Sequence, residues 1–148
     1  MPKSPSSYLF PDINLWLALS YDRHVHHRVA LAWFKQTREH ERICFCRFTQ
    51  LGLLRLLSTK AVMEEDGFLS QAEAWKVYDR WLVDERILLL KEPVLIESQL
   101  RELSRGHRPE PKVWSDAYLA AFAGSAGLRL VTFDQSFRSR AIDVDVLG

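Results

Sequence analysis

The stretch VWSDAYLAAFAGSAGLRLVTFDQSF, Val113 to Phe137, decides the fold class. Ala117, Ala120, Ala121 and Gly124 recur at three- and four-residue spacing, which reads as a helix with a small-residue face. Gly127 ends it, because a residue without Cβ closes a helix in the left-handed conformation. LRLVTF (Leu128–Phe133) is then an apolar run of strand length. A helix feeding directly into a buried strand is the unit from which parallel sheets are built.

The same alternation extends outward. Tyr8–Ile13 reads as a strand, His26–Glu39 as a helix with Val29, Trp33 and Phe34 on one face, and Arg42–Cys46 as a second strand. Thr49 is the expected cap of the helix QLGLLRLL. Ser70 starts a helix that places Trp75, Tyr78 and Leu82 at i, i+3 and i+7, followed by the compact strand RILLL (Arg86–Leu90) and a helix over about Val94–Leu103. IDVDVL is the last strand, and STKAVMEEDGFLS and RGHRPEPK read as connections. Right-handed crossovers then predict an α/β fold in three layers, α/β/α, with a mostly parallel central sheet of four to five strands.

The 148 residues, 47% hydrophobic with five Trp and eight Phe, suffice for one domain with its own core, preceded by a polar leader, Met1–Ser7. No run approaches the roughly 18 apolar residues of a membrane span, and MPKSPSSYLF has no signal-like apolar segment. A soluble, cytoplasmic protein is expected. A formal net charge of +1 argues neither for nor against a nucleic-acid partner, so any basic footprint is local. Cys44 and Cys46 fall on one face of a strand, a poor disulfide geometry, and read as ordinary buried thiols.

LFPDINLWLAL, Leu9–Leu19, raises the functional question, because Asp12 and Asn14 interrupt an apolar run. An ionised carboxylate is costly to bury without a partner. Pro11 cannot donate to a ladder and fits where pairing ends, which puts Asp12 at the exit of the first strand. Ligands of open parallel sheets bind beyond the carboxyl ends of the strands. Asp134 follows LRLVTF and Asp116 lies near the start of the helix leading into it, so three carboxylates are expected at one edge. Such a set repels itself unless a cation intervenes, and oxygen ligands select a hard ion, Mg²⁺ or Mn²⁺.

Three blocks in this order, FPDINLWLALSYDRHVHHRVALAWF, FTQLGLLRLLS and SDAYLAAFAGSAGLRLVTFDQSF, resemble the PIN domain of VapC-type toxin ribonucleases from about Leu9 to Phe137. The resemblance implies a Mg²⁺- or Mn²⁺-dependent endoribonuclease, the toxin of a toxin–antitoxin pair, commonly a homodimer and held inactive by a cognate antitoxin. It assigns Asp12, Asp116 and Asp134 as catalytic and metal-binding residues and Asn14 as an orienting neighbour. Where the family often has a glutamate, this chain has Gln50, grouped with Asn14 as a substrate-orienting residue; it brings no charge, so weaker metal affinity and water activation are expected, with the three aspartates still sufficient to hold the ion.

Each acid also has a plainer reading: Asp12 as a helix N-cap, Asp116 as a first-turn residue favoured by the helix dipole, Asp134 as a turn residue. His24, His26 and His27 lack joint metal-ligand spacing and read as a solvated helix start. Arg105, His107, Arg108, Arg138 and Arg140 flank the acidic segments, either as solvated loop charge or as a track for an RNA backbone. Trp81 and Leu82 are the expected apolar surface of a homodimer. Two further functions compete with the nuclease: a catalytically weakened protein of the same fold that binds RNA or antitoxin, and a phospho-acceptor receiver, which fits poorly because Asp12 stands alone and no lysine follows the last strand.

Overall fold

Each strand is four residues or fewer, so the sheet is a narrow ribbon whose carboxyl edge lies close to its core. The computed structural model describes residues 7–64 and 67–148. The elements run β1 Tyr8–Pro11, α1 Ile13–Ser20, α2 His27–Gln36, β2 Arg42–Phe45, α3 Arg47–Leu57, α4 Lys60–Met63, α5 Gln71–Leu82, β3 Ile87–Leu89, α6 Ile96–Leu103, α7 Lys112–Ala126, β4 Arg129–Thr132, a 3-10 turn Gln135–Ser139, and β5 Val144–Val146. All pairings are parallel, in the order β3-β2-β1-β4-β5. The α/β/α expectation therefore holds, with five strands and every strand parallel.

Period-2 alternation sorts the side chains of the sheet into two cores. Leu9, Ile43, Phe45 and Val131 face α1, α3 and α5, where Trp16 stacks on Phe45 with ring centroids 3.8 Å apart. Phe10, Cys44, Cys46 and Leu130 face α6 and α7, where Phe10 stacks on Phe122 at 5.1 Å. Both cysteines are free and share the second core.

Local chemistry sets the ends. Ser70 and Glu73 form a reciprocal capping box at α5, and Gly127 closes α7 at φ 68° with its N–H on the Ala123 carbonyl. Gly52 lets α3 approach α1, since a Cβ there would lie 2.3 Å from Ile13 Cδ1. Asp12 N–H donates to the Val131 carbonyl of β4 at 2.8 Å, so by alternation the Pro11 nitrogen points toward β2, whose pairing with β1 has ended at Leu9 and Ile43.

Several sequence expectations shift. Thr49 is not the cap of α3 but its third residue, returning a hydrogen bond to Cys46, the actual N-cap. Ala30 is the fully buried residue of α2 and Trp33 and Phe34 pack partly buried on the core as expected, while Val29 is exposed. Ala123 replaces Gly124 on the buried arc of α7, and Ala74 with Tyr78 form that of α5, leaving Trp75 and Leu82 at the surface. Trp81 is half-buried: its ring meets Trp16 and Phe34 edge-on and its Nε1–H donates to Ser20 Oγ at 2.8 Å, so it is core margin rather than open patch. The first connection contains α4. Residues 1–6 of the polar leader lie outside the described residues. Among the described residues no helix is long and apolar enough to cross a membrane.

Candidate active site

Asp12 sits where β1 ends and α1 begins, and is 8% exposed. Its Oδ1 accepts from the Ile13 N–H at 2.7 Å and its Oδ2 from the Thr132 hydroxyl at 2.7 Å. It is thus both the α1 cap and a strand-end acid, two readings that coexist. Burial pushes its carboxyl above the ordinary carboxylate range; the hydrogen bonds from Thr132 and Ile13 oppose this, and the charges of Asp116 and Asp134 add to it. The three aspartates therefore share one electrostatic neighbourhood. Among the described residues no basic side chain pairs with Asp12.

Asp134 caps the 3-10 turn, its Oδ1 accepting from the N–H and hydroxyl of Ser136 at 2.9 and 2.7 Å. Its own N–H donates to Thr132 Oγ1 at 3.0 Å, so one hydroxyl joins Asp12 to Asp134. Asp116 lies on the second turn of α7. Lys112, the first residue of that helix, places Nζ 3.4 Å from Asp116 Oδ2 and 2.5 Å from Asp134 Oδ2. Burial alone would raise Asp134, but the hydrogen bonds from Lys112 and Ser136 outweigh it and hold the carboxyl below its usual value.

Asn14 Oδ1 accepts weakly from the Phe133 N–H at 3.5 Å, bracing α1 against the segment that carries Asp134. Gln50 is buried on α3, its Oε1 held by Arg47 Nη1 at 2.6 Å, and among the described residues no hydrogen bond ties it to an aspartate. The histidines are close neighbours, with the His24 and His26 ring centroids 5.7 Å apart, but among the described residues they form no metal-holding set: His24 Nδ1 accepts from the His26 N–H, His27 Nδ1 lies 2.7 Å from the Ala18 carbonyl, and the His26 ring stacks on Phe133 at 4.4 Å. Arg105, His107 and Arg108 are exposed. Arg140 lies over the Phe137 ring and, with Lys112, Asp116 and Glu110, lines an open groove of 710 Å³.

Among the described residues no three Asp, Glu, His or Cys side chains are placed so that together they could hold a metal ion. The fit to a divalent ion is one of donor chemistry: three carboxylates at one edge, all oxygen, with a lysine ammonium between two of them where a cation is favoured. Mg²⁺ keeps several waters and needs only one or two protein carboxylates, so an open set suffices. Sequence reasoning missed Lys112 and Thr132. The i, i+4 spacing of Lys112 and Asp116, and a hydroxyl inside an apolar strand, were the available signals.

The PIN domain family model matches residues 9–143. The chain is 46% identical over 132 residues to Ribonuclease VapC41 of Mycobacterium tuberculosis, covering 87% of this chain and 90% of the relative. The crystal structure of Mycobacterium tuberculosis VapC20, described as a Sarcin-Ricin loop cleaving toxin, superposes with a TM-score of 0.69 at 17% identity, covering 95% of this chain and 99% of that one. VapBC2 from Rickettsia felis, solved bound to a promoter DNA fragment, gives a TM-score of 0.69 at 12% identity, covering 95% and 99%. The acids at the carboxyl edge of a five-stranded parallel sheet and these matches lead to one conclusion: the chain belongs to the PIN domain family, among its VapC-type toxin ribonucleases.

Proposed function

We propose that RNA phosphodiester hydrolysis takes place at the edge formed by Asp12, Asp116 and Asp134, with Mg²⁺ or Mn²⁺ as cofactor. The observation that carries this is Asp12, a nearly buried carboxylate facing two others with no basic partner among the described residues. The divalent ion, when bound, neutralises charge on the phosphodiester and activates water. Asp12 and Asp116 would hold it. Thr132 fixes the Asp12 carboxylate, and Asn14 braces the neighbouring backbone. Lys112 and Arg140 line the groove along which an RNA backbone would run.

A cognate antitoxin seated in the same cleft is part of this reading, and a VapBC complex among the structural relatives supports an antitoxin as partner. A homodimer formed through apolar helix surface, with Leu82 and its neighbour Val83 exposed, acting in the cytoplasm, completes the reading. The second reading, a weakened binding protein, is favoured by one contact, the Gln50 amide tied to Arg47.

Cleavage of an RNA panel with and without Mg²⁺ separates the two. Asp12→Asn and Asp116→Asn should each abolish Mg²⁺-dependent cleavage, and Asp134→Asn reduce it strongly, with the fold intact by circular dichroism. Parent-level cleavage by the Asp12→Asn variant would remove Asp12 from the site.

A further inference from the structure

The three carboxylates are not equivalent. Each carboxylate oxygen accepts about two hydrogen bonds. Asp134 Oδ1 already takes two, from the N–H and hydroxyl of Ser136, and its Oδ2 takes the Lys112 ammonium. Asp12 has one donor on each oxygen and so keeps acceptor capacity on both. Asp116 has, among the described residues, a single ion-pair partner, Lys112 at 3.4 Å. The open capacity therefore lies mainly on Asp12 and Asp116, while Asp134 has one oxygen filled and the other engaged by the lysine.

The location of Lys112 is a second observation. A cation in the first turn of a helix opposes the helix dipole. Lys112 stands at the first position of α7 and is 65% exposed, so neither the helix nor apolar packing accounts for the direction it takes. The two carboxylates do.

We propose that Lys112 is a positioning residue that acts as a built-in cation of the cleft: its ammonium holds Asp134 and restricts the site to one divalent ion, seated on Asp12 and Asp116. The inference rests on the metal-dependent reading above. Two-metal nucleases hold their ions about 3.5–4 Å apart, each needing carboxylate charge. Here the charge that would hold a second ion is already neutralised by a lysine, and a second divalent ion would be repelled by it. The cleft thus combines one exchangeable cation with one covalently attached.

The test is a count of bound Mn²⁺ on the full chain, stripped of metal with EDTA and titrated by calorimetry, with electron paramagnetic resonance reporting the bound ion. The parent should take a single Mn²⁺. Lys112→Met should take a second, whereas Lys112→Arg, which keeps the charge, should stay at one. Lys112→Met combined with Asp134→Asn removes the carboxylate together with its cation and should also return to one, a control that holds even if the single variant folds poorly. A purely structural role for Lys112 would not change the count. Two ions on the parent, or one ion of unchanged affinity on a folded Lys112→Met, overturns the proposal. A parent that binds no Mn²⁺ overturns it differently, by removing the metal-dependent reading on which it rests.

Discussion

Thr132→Val removes the hydroxyl that joins two of the aspartates while keeping the shape of the side chain. Thr132 is fully buried; its Oγ1 donates to Asp12 Oδ2 at 2.7 Å and accepts the Asp134 N–H at 3.0 Å. A hydrogen bond to a charged group contributes about 1.5–3 kcal/mol, and the orphaned Asp134 amide costs about 1 kcal/mol. Burying the valine methyl returns about 1 kcal/mol. The variant should therefore lose about 1.5–3 kcal/mol of stability. With a slope of about 2 kcal/mol per molar urea, the unfolding midpoint falls by about 1 M. Urea unfolding followed by tryptophan fluorescence in EDTA measures this without metal. Thr132→Ser keeps the hydroxyl and drops a methyl, for a loss of about 1 kcal/mol. If valine proves no more damaging than serine, the hydroxyl does not hold Asp12, and the link between the two acids fails.

Gln50→Glu places a buried carboxylate beside Arg47, which lies 2.6 Å from the present amide oxygen, so the ion pair offsets the desolvation of the new charge only in part and metal-free stability should fall by about 1–3 kcal/mol. Mn²⁺ half-saturation should shift by less than about threefold, because Arg47 claims the new charge; a tenfold tightening would place position 50 in the ion's reach. Arg86 hydrogen-bonds Asp84 and holds it below the ordinary carboxylate value, so this pair stabilises the fold above the unfolded pKa and ceases to do so as pH falls through the lower folded one. Asp84→Asn should accordingly cost about 1 kcal/mol at pH 7 and converge with the parent in acid, as read from urea midpoints against pH. Burial pushes the Cys44 thiol up to about 12 and also raises Cys46, so neither should react with a disulfide reagent in the native protein, and both should in urea.

The sheet was legible because strand alternation survives any choice of helix boundary: Leu9 and Phe10, or Ile43 and Cys44, must face opposite sides. Helix faces were less so. α7 buries Leu119, Phe122 and Ala123 as well as its alanines, an arc too wide for small-residue spacing alone to mark its edge at Gly124. The three acids were visible because each interrupts an apolar setting, although two of them also do the caps' work that makes such residues common. For Lys112 the sequence offers only its i, i+4 spacing to Asp116, and its link to Asp134 is not visible there. Its partner Asp134 lies 22 residues on, and in sequence it belongs to a polar loop.

The hydroxyl bond from Thr132 to Asp12 spans 120 residues, and β1 cannot pair with β4 before that stretch has been made. At about 5–20 residues per second, some 6–24 seconds of synthesis separate the first aspartate from the strand that must hold it. For a nuclease that acts on RNA this delay has a temporal meaning. If Asp12, Asp116 and Asp134 act together as proposed, a nascent chain carries Asp12 through most of its translation without the other two acids, and has no complete site to turn on the message and the ribosome that produce it. On the same proposal, fragments that stop short of β4 lack a complete site, and activity is expected as a late and abrupt event in the life of the chain.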